Sequence, residues 1–155
     1  MSRTYPVRMS WGSIQMHTKA NGLVEAAKSL VGTRYRHQGR NEAGLDCAGL
    51  MIVAAKMCGI DHFDTTNYSN RPNAAEFTRE MLRAECTQIP LAELGHGDLL
   101  RLNTAGWPVH IAIYEVDEAG QEWYIHAFLP HRKVTRDPLT PVVQQSISSV
   151  WRFPE

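Results

Sequence analysis

Gly44-Leu45-Asp46-Cys47-Ala48-Gly49-Leu50 reads as a turn that tips a cysteine into the first turn of a helix. Asp46 is a good N-cap, because its short carboxylate can accept from the free backbone N–H groups at a helix start. Apolar residues then follow at helical spacing (Leu50, Met51, Ala54 and Cys58) until Gly59 stops the run. A thiol placed there feels the positive end of the helix dipole and unpaired N–H donors, which favours thiolate over thiol. The stretch predicts a cysteine nucleophile at the mouth of a buried helix.

Upstream, Ala20 to Val31 carries Leu23, Ala27, Leu30 and Val31 on one helical face, with Gly32 placed to end it. Thr33 to Gly44 is polar, basic and glycine-containing, a surface loop that carries Tyr35 towards the cysteine turn. Met1 to His17 has no period and reads as an irregular arm over residues 1–17. Downstream, a polar connector runs from Ile60 to Pro72. Asn73 and Glu76 then have the spacing of a capping box, with Ala74, Phe77, Met81 and Ala84 continuing a third helix. After the extended Gln88-Ile89-Pro90 the period changes to two. Asp98 to Leu102, Val109 to Val116, Glu122 to Phe128, Lys133 to Arg136 and Ser146 to Phe153 read as strands. The expected architecture is α+β: N-terminal helices packed on an antiparallel sheet of about five strands, in a single domain over 18–155.

Composition narrows the function. The 155 residues hold 16 Lys plus Arg against 16 Asp plus Glu, so net charge calls for neither nucleic acid nor an anionic membrane as partner. The three cysteines, Cys47, Cys58 and Cys86, lack the spacing of a disulfide framework or a zinc site, and Cys58 and Cys86 read as small buried hydrophobes. With no carboxylate pair and no Gly-rich phosphate loop, neither a metal nor a cofactor is expected. No apolar run has the length of a membrane helix, and the N-terminus lacks the charged-then-apolar order of a signal peptide.

A cysteine nucleophile needs a base. Of the seven histidines, His17, His37, His62, His96 and His131 fall in polar stretches that read as solvated loops. His110 and His126 differ, each lying inside an apolar strand where an imidazole without a task would be poorly solvated. The two strands are joined by Asp117-Glu118-Ala119-Gly120-Gln121 and form a hairpin. Because both numbers are even, the two rings share a face if an odd number of loop residues separates the paired strands, or if a bulge intervenes. A shared face is the expectation. His110 would then take the Cys47 proton, giving a thiolate–imidazolium pair that holds the thiol well below its free pKa of about 8.5.

Taken together, Asp46-Cys47-Ala48-Gly49-Leu50, Gly97-Asp98-Leu99-Leu100, His110-Ile111-Ala112-Ile113-Tyr114 and Ile125-His126-Ala127 resemble the ordered signature of the NlpC family of papain-like cell-wall cysteine peptidases. Within it the chain is most similar to the short stand-alone forms encoded among phage-tail and gene-transfer-agent genes. The resemblance implies Cys47 as nucleophile, His110 as general base and His126 as the polar residue orienting that base. It further implies that Tyr35 lines the substrate cleft and that Asp46 binds the free amine of a short peptide. The implied substrate is a peptidoglycan stem peptide, cut next to D-glutamate and diaminopimelate, with phage-like tail proteins as further partners. The chain departs from the family pattern in Ala48, where serine is common, and in Arg36-His37-Gln38-Gly39 after Tyr35. Asp98 reads as a turn-former rather than a catalyst.

Without a signal peptide, the expectation is cytoplasmic synthesis and delivery to the wall in a phage-like particle or on lysis. Three rival readings stand beside the peptidase: a tail assembly component that keeps the fold without turnover, a thioesterase or acyltransferase on the same scaffold, and an interbacterial effector with the same chemistry. The basic residues Arg132, Lys133 and Arg136 read as the exposed face of a strand.

Overall fold

The computed structural model describes residues 18–60, 74–104 and 107–154. The expected arm over 1–17, with Asn73, His17 and His62, lies outside them. Helix α1 (Thr18–Ser29) buries Leu23, Val24 and Ala27. It ends two residues before the expected Val31, which is exposed in the closing turn, where Gly32 has a φ of 96°.

Two two-residue strands, β1 (Arg40–Asn41) and β2 (Gly44–Leu45), form a small hairpin inside the stretch expected to be a plain loop. Helix α2 (Cys47–Met57) begins as its cap predicts. Asp46 is extended and its Oδ1 accepts from the Gly49 N–H at 2.7 Å. The helix is buried over Gly49, Leu50, Met51, Ile52, Ala54 and Ala55. Each of its large side chains contributes about 2 kcal/mol by leaving water. Helix α3 (Ala74–Arg83) turns Phe77 and Met81 into the same core.

The remaining chain builds one sheet of six antiparallel strands in the order β3-β8-β4-β5-β6-β7. They are β3 (Thr87–Ile89), β4 (Leu99–Thr104), β5 (Trp107–Val116), β6 (Glu122–Phe128), β7 (Lys133–Pro138) and β8 (Ile147–Arg152). The α+β layout with N-terminal helices on an antiparallel sheet is the one expected. The additional strand is Thr87–Ile89, which pairs along β8 from Thr87↔Arg152 to Ile89↔Val150. A short helix α4 (Pro141–Gln145), capped by Thr140 with proline in its first turn, precedes β8.

The sheet has two unlike faces. Ile111, Ile113, Ile125, Ala127, Val134 and Trp151 pack with the helices into the main core. Leu100, Leu102, Ala112, Tyr114, Leu139 and Val150 form a smaller cluster on the other side. Two buried carboxylates tie distant segments together. Asp98 accepts from the Gly95 N–H at 2.7 Å, as a turn-former should, and is also gripped by Arg152 through Nε at 2.7 Å and Nη2 at 2.8 Å. Glu115 is held by Arg136 at 2.7 and 2.9 Å, with Lys28 Nζ at 3.5 Å. Arg136 also lies 3.9 Å from the Trp123 ring centroid, so it is not the solvated strand residue expected from the sequence.

Candidate active site

Cys47 is the first residue of α2 and is half-buried. What fixes it is the loop beneath it. Asp46 caps the helix through Oδ1, accepts from the Gln38 N–H through Oδ2 at 2.7 Å, and has Arg40 Nη1 at 3.3 Å. Gly49 lets the helix lie against this loop: a Cβ there would fall 2.1 Å from the Gly39 carbonyl oxygen. The backbone N–H groups of Ile111, the residue after His110, and of Ala48 and Cys47 are close enough to the sulfur to favour its thiolate.

The resting charge state is the reverse of the one expected from a helix N-terminus alone. Burial and the Asp46 carboxylate push the Cys47 thiol up to about 12, outweighing those three N–H donors. Burial, together with the neighbouring His126 and His131, pushes His110 down to about 3. At neutral pH the site therefore holds a thiol and a neutral imidazole, not a preformed ion pair. The helix dipole is overridden by the burial of the cysteine and the acidic cap beside it, and by the burial of the base.

The hairpin register places His110 and His126 as parity requires. Strands β5 and β6 pair from Val116↔Glu122 to Ile113↔Ile125, which leaves the five-residue loop 117–121 and puts even-numbered residues of both strands on one face. Beyond Ile113 the two strands no longer pair, while β6 continues along β7 to Phe128↔Lys133. This opening lies beside both histidines, and Ile111, whose backbone N–H favours the Cys47 thiolate, belongs to it. Both rings are buried, and His110 Nε2 lies 2.7 Å from His126 Nδ1.

The line of contacts does not end there. His126 Nε2 lies 2.8 Å from Asp137 Oδ2, and the Thr135 hydroxyl donates to the same oxygen at 2.8 Å. Burial alone would push the Asp137 carboxyl up, but the hydrogen bonds from His126 and Thr135 outweigh it and hold it below the usual carboxylate range. An ionised carboxylate only accepts, and that fixes the tautomers along the whole chain. His126 carries its proton on Nε2 and donates it to Asp137, so its Nδ1 accepts. His110 must then donate from Nε2, leaving its Nδ1 with a free lone pair. Burial holds His126 below the usual imidazole range despite the opposing pull of Asp137, so the ring is neutral at pH 7.

Asp137 is a residue the sequence reasoning missed. Ending the strand at Arg136 left it in a turn, whereas β7 runs to Pro138 and pairs Thr135 with His126. Alternation from Thr135 puts Asp137 on the same face, which was the available signal.

Tyr35 is half-buried and packs against the main core with Cys47. Burial raises its hydroxyl pKa, and the nearby Cys47 and Asp46 add to the effect. It borders a concavity shared with Arg34, Leu129, Pro130 and Arg132. Asp46, by contrast, is buried with both oxygens engaged in the helix cap and the loop. His96 is not simply solvated: its Nδ1 accepts from the Val116 N–H at 3.1 Å. His37 and His131 are exposed. Cys86 is buried and Cys58 half-buried, close to the reading of both as small hydrophobes.

Known proteins match the sequence and the fold. A curated relative, dipeptidyl-peptidase 6 of Lysinibacillus sphaericus, is 26% identical over 141 residues, covering 88% of this chain and 44% of its own length. The chain thus spans less than half of that relative. Among solved structures, an NlpC/P60 family protein from Bacillus cereus superposes with a TM-score of 0.61 at 24% identity, over 86% of this chain and 40% of its own. The NlpC/p60 domain of peptidoglycan hydrolase SagA superposes with a TM-score of 0.53 at 23% identity, over 88% of this chain and 98% of the domain. Residues 32–152, which run from the turn after α1 to the end of β8 and include Cys47, His110, His126 and Asp137, match the NlpC/P60 family, and the chain belongs to that family.

Proposed function

We propose that the protein is a cysteine peptidase that hydrolyses an amide bond in peptidoglycan stem peptides, with Cys47 as nucleophile, His110 as general base and His126 as the residue that orients it. The observation that carries this reading is the fixed tautomer chain from Asp137 through His126 to His110. It leaves His110 Nδ1 with a lone pair able to take a proton, one residue before Ile111, whose backbone N–H favours the Cys47 thiolate.

Because thiol and imidazole rest neutral, proton transfer belongs to the attack rather than preceding it. As the Cys47 sulfur closes on the carbonyl carbon, His110 Nδ1 takes the thiol proton, and the imidazolium is stabilised through His126 by Asp137. The Cys47 backbone N–H, at the start of α2, is the natural donor to the oxyanion. His110 then gives its proton to the leaving amine, and water, activated by the same nitrogen, hydrolyses the thioester.

The substrate class rests on the family and on two relatives, one named a peptidoglycan hydrolase and one a dipeptidyl-peptidase. Arg34 and Arg132 beside Tyr35 suit a peptide rich in free carboxylates, which agrees with cleavage next to D-glutamate and diaminopimelate. Association with phage-like tail proteins, and delivery to the wall in such a particle or on lysis, rest on the resemblance to the short stand-alone forms. The test is incubation with muropeptides of defined stem composition beside Cys47→Ala, reading products by mass spectrometry. A single new amine terminus in the stem, absent with Cys47→Ala, is expected. Equal product from both proteins would refute the assignment.

A further inference from the structure

We propose that His126, His131 and Asp137 form a site for a zinc-like divalent cation, and that occupancy switches off His110 as a base. The second half rests on the peptidase reading given above. One donor atom from each of the three residues lies within 4.8 Å of the others. His126 Nε2 and Asp137 Oδ2 are 2.8 Å apart, and His131 Nδ1 lies 3.9 Å from the same oxygen. A four-coordinate zinc with bonds near 2.1 Å needs its donors about 3.4 Å apart. The first pair must open and the second close by roughly half an ångström each, and His126 and His131, at most 4.8 Å apart, must close by up to about 1.4 Å; His131 has the freedom to do so because its side chain is 43% exposed. Two imidazoles and one carboxylate suit zinc and its first-row neighbours, and Asp137, also partly exposed, leaves the fourth position to water.

The consequence follows from proton placement. A metal can bind His126 Nε2 only where that nitrogen carries no proton, so the ring proton moves to Nδ1. His126 then donates to His110 Nε2, 2.7 Å away, instead of accepting from it. His110 must in turn hold its single proton on Nδ1, the nitrogen needed to receive the thiol proton. Each ring keeps one proton throughout, and only the tautomers change. The cation inhibits without touching the sulfur.

The experiment uses the full chain carrying Cys47→Ala, which removes zinc binding at the thiol, stripped with chelator and titrated calorimetrically with zinc chloride. One equivalent is expected, and adding His131→Ala should weaken binding at least about tenfold. Equal affinity with and without His131, or no binding at all, overturns the site. In protein retaining Cys47, zinc should slow iodoacetamide alkylation of that residue and chelator should restore it. In His131→Ala the ratio of rates with and without zinc should approach one. Binding through His131 with no change in alkylation overturns the switch. Calorimetry needs no substrate, so a metal-free protein that fails to cleave muropeptides would refute the peptidase reading and leave the titration to decide the site.

Discussion

Lowering the pH from 7 to 4.5 will destabilise the fold through His110 by about 3 kcal/mol. His110 in the folded protein is pushed from 6.5 down to about 3 by burial and its histidine neighbours. The unfolded chain, with an ordinary imidazole, takes up a proton as pH falls through 6.5, while the folded protein does not. Stability contributed by the neutral ring is therefore complete above 6.5 and drains away from there towards 3. Each pH unit in that window costs about 1.4 kcal/mol, and 6.5 to 4.5 spans two. His126 is shifted in the same direction and steepens the loss. Asp137, held below the ordinary 3.8 of an aspartate, adds its own loss only at still lower pH. Urea unfolding at pH 7 and 4.5 should show the drop in the parent protein and a loss smaller by roughly 3 kcal/mol in His110→Gln. The His110 ring resonances should not titrate in the folded protein above pH 4.5. Titration near 6.5, or an unchanged pH slope in His110→Gln, would refute the reasoning.

Asp137→Asn should lower kcat by a factor on the order of 10² to 10⁴ with KM little changed, because an amide that donates to His126 Nε2 reverses the tautomers. Steady-state kinetics on a muropeptide separates the two parameters, and Asp137→Ala, which admits water, should lose less. Gly49→Ala should cost at least about 2 kcal/mol in denaturant unfolding, since its Cβ would meet the Gly39 carbonyl oxygen at 2.1 Å and both groups belong to the main chain. Arg136→Met should cost about 3 kcal/mol by leaving the buried Glu115 with Lys28 alone, and Glu115→Leu in the same chain should recover much of it.

The parts of this molecule legible in its sequence are those specified locally. The Asp46 cap, the helix after Cys47 and the alternation that sets the faces of β5 and β6 each lie within a few residues of their cause. The odd loop of five then put His110 and His126 together without any knowledge of the fold. What escaped depends on partners far along the chain. Thr87–Ile89 is a strand only because β8 lies beside it, more than sixty residues later. The hairpin Arg40–Asn41 with Gly44–Leu45 is too short to show a period. Glu115 could have been found as the histidines were, since a carboxylate in an apolar strand needs a counter-charge, and Arg136 supplies it. The thiol's resting state escaped because burial, which depends on the whole fold, raises its pKa most, and the same Asp46 that starts the helix also opposes the charge the helix would stabilise.

The close approach of Gly49 to Gly39 limits how this site can evolve. The cysteine is braced by main chain resting on main chain, with the backbone of Gly44 also closing on Gly39, so neither Gly39 nor Gly49 can gain a side chain without displacing main chain. Variation is left to the outward side chains of the same loop, Arg36 and His37, while Gln38, whose φ is 59° and whose N–H holds Asp46, is restricted. A library randomising Arg36 and His37 should therefore yield many folded, thiol-bearing proteins. Randomising Gly39, Gly44 or Gly49 should yield almost none.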